Sequence, residues 1–115
     1  MAILILGGDG YIGWPLAVKL ALHNPAVKVG IADNCSRRTL VARCGGNSVT
    51  PIEDPVVRVE AFHRTFGHNN LQFVELDVCS PALDMLMAEL KPSVIYHLAQ
   101  QCSAPYSMMG VEEAM

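Results

Sequence analysis

Short apolar runs alternate with longer stretches in which apolar residues recur every three or four positions. Four runs are typical of strands that are buried on both faces of a sheet: residues 2–6, 27–32, 71–76 and 93–98. Three stretches have the periodicity of helices with one packed face: residues 11–23, 54–66 and 82–90. The order βαβαβαβ predicts an α/β fold with a doubly wound parallel sheet and right-handed crossovers.

Local signals place several helix boundaries. Asp54 is the expected N-cap of the second helix, with Pro55 at its first position and Gly67 ending it. Ser80 and Pro81 are expected to start the third helix in the same way, as cap and first-turn proline.

An irregular segment, residues 35–51, follows the second strand. It is predicted to be a long loop with a helical turn at residues 39–43, and loops of this length in compact domains are usually functional. It contains Arg37 and Arg38, for which three roles stay open. They would stack on an adenine, or bind a 2′-phosphate or a substrate anion, or be solvated without a binding role.

Composition narrows the class of protein. The 115 residues, 51% apolar and 17% charged, fit one small domain or part of one and exclude intrinsic disorder. A net charge of −3 disfavours nucleic-acid binding, and no apolar run is long enough to suggest a membrane span. The four cysteines have neither CxxC spacing nor a nearby histidine, so we expect no metal site and reduced thiols, as in the cytoplasm or a plastid.

The first strand-to-helix turn carries the strongest chemical signal. Gly7, Gly10 and Gly13 form a G-x-x-G-x-x-G pattern that directly follows a buried strand and directly opens a helix. Such glycines let the backbone approach a pyrophosphate, which the helix N-terminus attracts. The sequence therefore predicts a nucleotide-binding turn, and the alternative is a purely structural glycine-rich turn.

Other candidates follow the later strands. Asp33 ends the second strand 20 positions after Gly13, where a carboxylate accepts hydrogen bonds from an adenosine ribose; the alternative is a solvated loop carboxylate. Asp77 and Val78 are candidates for adenine contacts, unless Asp77 only caps its turn. His97, inside the fourth strand, is expected to be a core histidine.

Three segments resemble the extended short-chain dehydrogenase/reductases, and within them the UDP-sulfoquinovose synthases and their archaeal relatives. They are GGDGYIGWPLA at residues 7–17, ADNCSRR at residues 32–38 and HLAQQCSAPYSM at residues 97–108; SVTPI at residues 48–52 also fits. The resemblance covers nearly the whole chain. It implies a Rossmann fold, of which these residues would be the N-terminal part with about four strands.

The resemblance also implies a reaction. Those enzymes hold NAD tightly, oxidise the sugar of UDP-glucose at C4, lose water from C6, add sulfite there and return the hydride to C4. It implies a UDP-sugar substrate and a homodimer for the full-length protein. Cys102 departs from the family, which has an arginine suited to an anion at this position. A related nucleotide-sugar epimerase or dehydratase reaction therefore stays open.

The resemblance assigns binding roles by position. The expected cofactor-binding residues are Gly7, Gly10, Tyr11, Ile12, Gly13, Asp33, Asn34, Arg38, Asp77, Val78, Leu98, Ala99 and Gln100, and the expected substrate-binding residues are Gln101, Ser103 and Tyr106. Asp33 would repel a 2′-phosphate, so NAD is expected rather than NADP.

No catalytic residue is assigned. The related enzymes use a Tyr-x-x-x-Lys pair, whereas Tyr11, Tyr96 and Tyr106 have no lysine four positions later. We therefore expect residues 1–115 to be the NAD-binding portion of a longer enzyme, without the catalytic and sugar-binding remainder and inactive alone. The alternatives are a non-catalytic NAD(P)-binding regulator and a structural module without a cofactor.

Overall fold

A computed structural model describes residues 1–35, 45 and 53–99, and within these ranges strands and helices alternate as predicted. The elements are β1 (Ala2–Leu6), α1 (Gly13–His23), β2 (Lys28–Asp33), α2 (Pro55–Phe66), β3 (Leu71–Glu75), α3 (Ala82–Leu90) and β4 (Val94–His97). Most of the predicted loop, including its helical turn at residues 39–43, and the tail from residue 100 lie outside the described residues.

The sheet has the strand order β3-β2-β1-β4, and all three pairings are parallel. The predicted doubly wound α/β sheet is thus confirmed. From β1 the chain moves to β2 and β3 on one side and then crosses to β4 on the other. The carboxyl ends of β1 and β4 therefore flank a topological switch point, which is where open α/β sheets bind ligands.

Two apolar clusters cover the two faces of the sheet. On one face, α1 and α2 pack through Ala17, Ala21, Val59 and Phe62 against Ile3, Ile5, Val29, Ile31 and Leu71. On the other, α3 packs through Leu86 and Leu90 against Ala2, Leu4, Leu6, Ala32 and Leu76. Because successive strand residues point to opposite faces, the unbroken apolar run of β1 supplies both clusters.

Helix α2 has the boundaries that its sequence predicts. The Asp54 carboxylate accepts a hydrogen bond from the Val56 amide at 3.2 Å, Pro55 opens the helix, and Gly67 ends it with φ of 70°. The cap satisfies one of the amides that a helix start leaves without a partner.

Asp54→Ala should lower the free energy of unfolding by about 1 kcal/mol, because it removes this cap bond. Urea denaturation measures the change, and Glu60→Ala, at an exposed position inside the same helix, is the control. An Asp54→Ala protein as stable as the control variant would contradict the capping role.

One expected helix start and one expected cap are wrong, although α3 spans the expected residues 82–90. Helix α1 begins at Gly13 rather than residue 11, because the Gly10 amide donates to the Gly7 carbonyl and keeps the chain in the turn. Ser80 does not cap α3: its hydroxyl donates to the Asp77 carbonyl at 2.7 Å, and Pro81 takes the cap position without a side-chain bond. Most strand ends lie one residue away from the expected position, because the backbone hydrogen bonds decide where a strand begins and ends.

Asn70, directly before β3, ties three segments together at the amino end of the sheet. Its side-chain NH₂ donates to the carbonyl oxygens of Ala21 at 2.9 Å, Asn24 at 3.1 Å and Val27 at 2.9 Å. The end of α1 and the approach to β2 are thereby fixed to the start of β3. None of the helices within the described ranges is long and apolar enough to cross a membrane.

Asn70→Asp should reduce stability by about 1.5 kcal/mol at pH 7, because a carboxylate would face three carbonyl oxygens. Protonation restores one donor, so the folded state raises the pKa of this carboxyl and the loss shrinks as pH falls towards 4. Thermal denaturation at both pH values measures this. Asn69→Asp, at the exposed neighbouring position, is the control, and a pH-independent loss would contradict the interpretation.

Candidate functional site

The turn between β1 and α1 is folded so tightly that three of its glycines, Gly7, Gly8 and Gly13, leave no room for a side chain. Gly7 has φ of 93° and its amide donates to the Ala32 carbonyl at 2.8 Å. A Cβ atom on Gly13 would overlap the Gly7 carbonyl. The first residue of α1 therefore lies directly on the backbone of the turn, as the predicted nucleotide-binding pattern requires.

The same turn lies against the end of β4. A Cβ atom on Gly7 would approach the Leu98 carbonyl carbon and oxygen to 2.8 Å and the Ala99 nitrogen to 2.9 Å. The Leu98 amide donates to the Leu6 carbonyl at 2.8 Å. Leu98 and Ala99, both expected cofactor-binding residues, thus lie beside Gly7 at the switch point.

The carboxylate of Asp33 is held in place by two backbone amides. Its Oδ2 accepts from the Asp9 amide at 2.8 Å, and its Oδ1 accepts from the Cys35 amide at 2.7 Å. A carboxylate has about four acceptor positions, so two remain for other donors such as ribose hydroxyls. This half-buried, oriented carboxylate differs from the alternative of a freely solvated loop side chain.

The start of α1 is open to an anion. Ile12 occupies the N-cap position and makes no side-chain hydrogen bond to the helix amides. Tyr11 and Ile12 are 87% and 63% exposed at the turn, although both are large and apolar. No cap side chain therefore competes with a negatively charged ligand for this end of the helix.

Asp77 and Val78 lie further along the same edge of the sheet. The Asp77 carboxylate accepts from the Cys79 amide at 2.9 Å, so this residue does cap its own turn. The Leu76 amide donates to the Asp33 carbonyl at 3.1 Å, which brings the chain before Asp77 alongside the end of β2. Val78 packs against the α3 side of the core.

Of the remaining candidate residues, Asn34 and His97 lie within the described ranges and several others do not. Asn34 is exposed directly after Asp33. Arg38, Gln100, Gln101, Ser103 and Tyr106 lie outside the described residues, as do Arg37 and Cys102. His97 is exposed, so its expected place in the core is wrong: neither apolar cluster of the described ranges includes a residue of β4, so the faces of this strand are left uncovered. In the described ranges, no three His, Cys, Asp or Glu side chains are grouped as metal ligands.

One contact network at the turn was missed by the sequence interpretation. The Asp9 side chain is only 4% exposed, and its Oδ1 lies 3.6 Å from Nη1 of Arg58. The Arg58 guanidinium also stacks over the Trp14 ring, 4.3 Å from its centroid. Asp9, inside the glycine pattern, and Trp14, just after it, were the available signals. No sequence pattern connects either residue to Arg58 on α2.

These features together fit a dinucleotide. Gly7 and Gly13 form a cradle that side chains would fill, the helix start is not capped by a side chain, and Asp33 presents an oriented carboxylate. A pyrophosphate needs close backbone approach and N–H donors, and an adenosine ribose needs an acceptor for its hydroxyls. The geometry supplies both at one end of the sheet.

Comparisons with known proteins agree with this fit. The sequence matches the NAD dependent epimerase/dehydratase family over residues 3–114. It is 37% identical over 116 residues to a UDP-sulfoquinovose synthase of Sulfolobus acidocaldarius, covering 100% of this chain and 29% of that protein. It is 32% identical over 114 residues to the chloroplastic UDP-sulfoquinovose synthase of Spinacia oleracea, covering 98% of this chain and 23% of that protein.

A solved structure with the same fold contains a bound cofactor. It is the UDP-glucose-4-epimerase of Stenotrophomonas maltophila with bound NAD and formylated UDP-arabinopyranose. The TM-score is 0.62 at 27% identity, over 95% of this chain and 27% of that one. The described sheet is thus Rossmann-like, and the chain spans under a third of the length of each of these relatives.

Proposed function

The chain belongs to the NAD dependent epimerase/dehydratase family, and from this premise we propose that it is the N-terminal, NAD-binding part of an enzyme that modifies the sugar of a nucleotide sugar. The observation that carries the proposal is the cradle of Gly7 and Gly13 beside the oriented Asp33 carboxylate. The catalytic and sugar-binding parts would lie in a longer protein that contains these residues.

Each part of the turn has a separate role in this proposal. The backbone from Gly7 to Gly13 and the uncapped start of α1 hold the pyrophosphate, and Asp33 binds the adenosine ribose. Leu98 and Ala99, beside Gly7, form the wall of the crevice towards the nicotinamide. A bound NAD would supply a reversible acceptor for a hydride of the sugar, and these residues would hold it.

For the reaction itself, we propose a UDP-sulfoquinovose synthase type of chemistry. The 37% and 32% identities to two such enzymes support it. So does the resemblance of the GGDGYIGW segment, residues 7–14, to that group of enzymes. The overall change replaces the C6 hydroxyl of UDP-glucose with sulfite, and water leaves.

A UDP-sugar 4-epimerase is the second candidate. The structural similarity to an epimerase with bound NAD favours it, and so does Cys102 at a position where the synthases have arginine. Both candidates use the same cofactor site, and they differ in what happens after oxidation at C4.

The test uses the longest natural protein that carries this sequence, purified and incubated with UDP-glucose, with and without sulfite. Mass spectrometry and NMR of the nucleotide sugars measure the products. A sulfonated UDP-sugar that forms only with sulfite supports the synthase. UDP-galactose formed without sulfite supports the epimerase and overturns the synthase. A protein that neither retains nor binds NAD overturns both.

A further inference from the structure

Arg58 connects helix α2 to the glycine turn through two contacts of different kinds. Its guanidinium lies 4.3 Å from the centre of the Trp14 ring, within the range of a cation–π interaction. Its Nη1 lies 3.6 Å from Oδ1 of Asp9, an ion pair with partners that are 22% and 4% exposed at their side chains. Trp14 belongs to the first turn of α1, and Asp9 lies inside the glycine turn.

Asp9 in turn contacts the carboxylate proposed to bind the ribose. Its side chain pairs with Arg58, and its backbone amide donates to Oδ2 of Asp33 at 2.8 Å. The direction of the Asp33 carboxylate therefore depends on where Asp9 lies. Burying a carboxylate costs free energy that a nearby positive charge offsets, and Arg58 supplies such a charge beside Asp9.

We propose that Arg58 is a positioning residue for the nucleotide. By neutralising Asp9 and stacking on Trp14, it fixes the glycine turn and thereby aims the Asp33 carboxylate at the adenosine ribose. The effect passes through Asp9 and needs no contact between Arg58 and the nucleotide. This inference rests on the proposed NAD binding, and it adds a residue of α2 to the determinants of cofactor affinity.

The main experiment compares two nucleotides in the longest natural protein that carries this sequence. Isothermal titration gives the affinity for NAD and for NAD with a 2′-deoxyadenosine ribose. In Arg58→Met we expect NAD to bind about 5- to 20-fold more weakly. The preference for NAD over the deoxy analogue should shrink, because Asp33 no longer points correctly at the 2′-hydroxyl.

Two further substitutions separate positioning from general loosening. Arg58→Lys keeps the charge and should recover part of the lost preference, which a loss of packing alone would not do. Arg64→Met, on the last turn of the same helix, is the matched control and should leave both affinities unchanged. Equal weakening of NAD and the deoxy analogue in Arg58→Met overturns the proposal.

A double-substitution cycle tests the path through Asp9. Arg58→Met removes the positive charge of Arg58 from beside the buried Asp9 carboxylate, so Asp9→Asn in the same protein should restore part of the lost stability but not the ribose preference. Strictly additive effects on the ribose preference in the double variant overturn the coupling.

The outcomes distinguish this inference from the function on which it rests. A natural protein that binds neither nucleotide overturns the proposed function. A natural protein that binds NAD, with an unchanged preference in Arg58→Met, overturns only the role of Arg58. If Arg58→Met fails to fold, Asp9→Asn and Arg58→Lys still measure the preference, and both must reduce it for the proposal to stand.

Discussion

Replacing Gly13 with alanine is expected to cost about 3 kcal/mol or more of folding free energy and to abolish NAD binding. The added Cβ atom would overlap the Gly7 carbonyl and lie 3.0 Å from the Cα atom of Gly8. All of these neighbours are backbone atoms, so no side chain can rotate to make room. The turn itself cannot retreat easily, because the Gly7 amide is bonded to the Ala32 carbonyl of β2.

Gly10→Ala is the matched control, since it adds the same methyl group to the same turn. Its Cβ atom would have one close neighbour, the Gly7 carbonyl oxygen at 3.3 Å, and Gly10 has no positive φ. We expect its stability to change by less than about 1 kcal/mol. Urea denaturation measures both variants, and equal losses for Gly10→Ala and Gly13→Ala would show that close packing at Gly13 is not the cause.

The second large effect is expected from Asp33→Ala, which should weaken NAD binding by about 1.5–3 kcal/mol, the scale of a hydrogen bond to a charged group. The carboxylate is already oriented by the amides of Asp9 and Cys35, so little conformational entropy is lost when a ribose binds. Isothermal titration measures the change. Asp84→Ala, an exposed carboxylate on α3, is the control and should bind NAD normally.

The same substitution should change the choice of cofactor. An ionised Asp33 would face a 2′-phosphate of like charge, so the natural protein should bind NAD more tightly than NADP. Removing the carboxylate removes that repulsion, and the affinity ratio of NAD to NADP should fall. Asp33→Asn should not behave as a neutral substitute, because the amides of Asp9 and Cys35 donate to two different oxygens and the NH₂ of asparagine would face one of these donors. Tighter binding of NADP to the natural protein would contradict this role of Asp33.

Elements governed by local chemistry were predictable from the sequence. The apolar run of β1 gave the bounds Ala2–Leu6, and Asp54, Pro55 and Gly67 gave both ends of α2, because caps and prolines act on adjacent backbone. The position of Asp33 at the end of β2 followed from its spacing to the glycine turn. These signals need no knowledge of which elements meet in space.

Features that depend on distant contacts were not predictable in the same way. Ser80 has the sequence of a helix cap, but its hydroxyl bonds to Asp77 because the turn after β3 offers a nearer acceptor. Asn70 belongs to no recognisable sequence motif, yet its side chain donates hydrogen bonds to carbonyl oxygens of α1 and of the segment before β2. The pairing of Arg58 with Asp9 likewise appears only once α2 and α1 share one face of the sheet.

The strand order also has a consequence for how the crevice opens and closes. β1 is paired on both sides, and its Leu4 and Ile5 are fully buried, whereas β4 pairs only with β1 in the described sheet and leaves Ile95 42% exposed. In a chain limited to residues 1–115, backbone amides of β4 should therefore exchange with solvent deuterium sooner than those of β1, through opening events that leave the rest of the sheet intact. Each such opening would carry Leu98 and Ala99 away from Gly7. The side of the crevice formed by Leu98 and Ala99 would then open and close while the glycine turn stays folded.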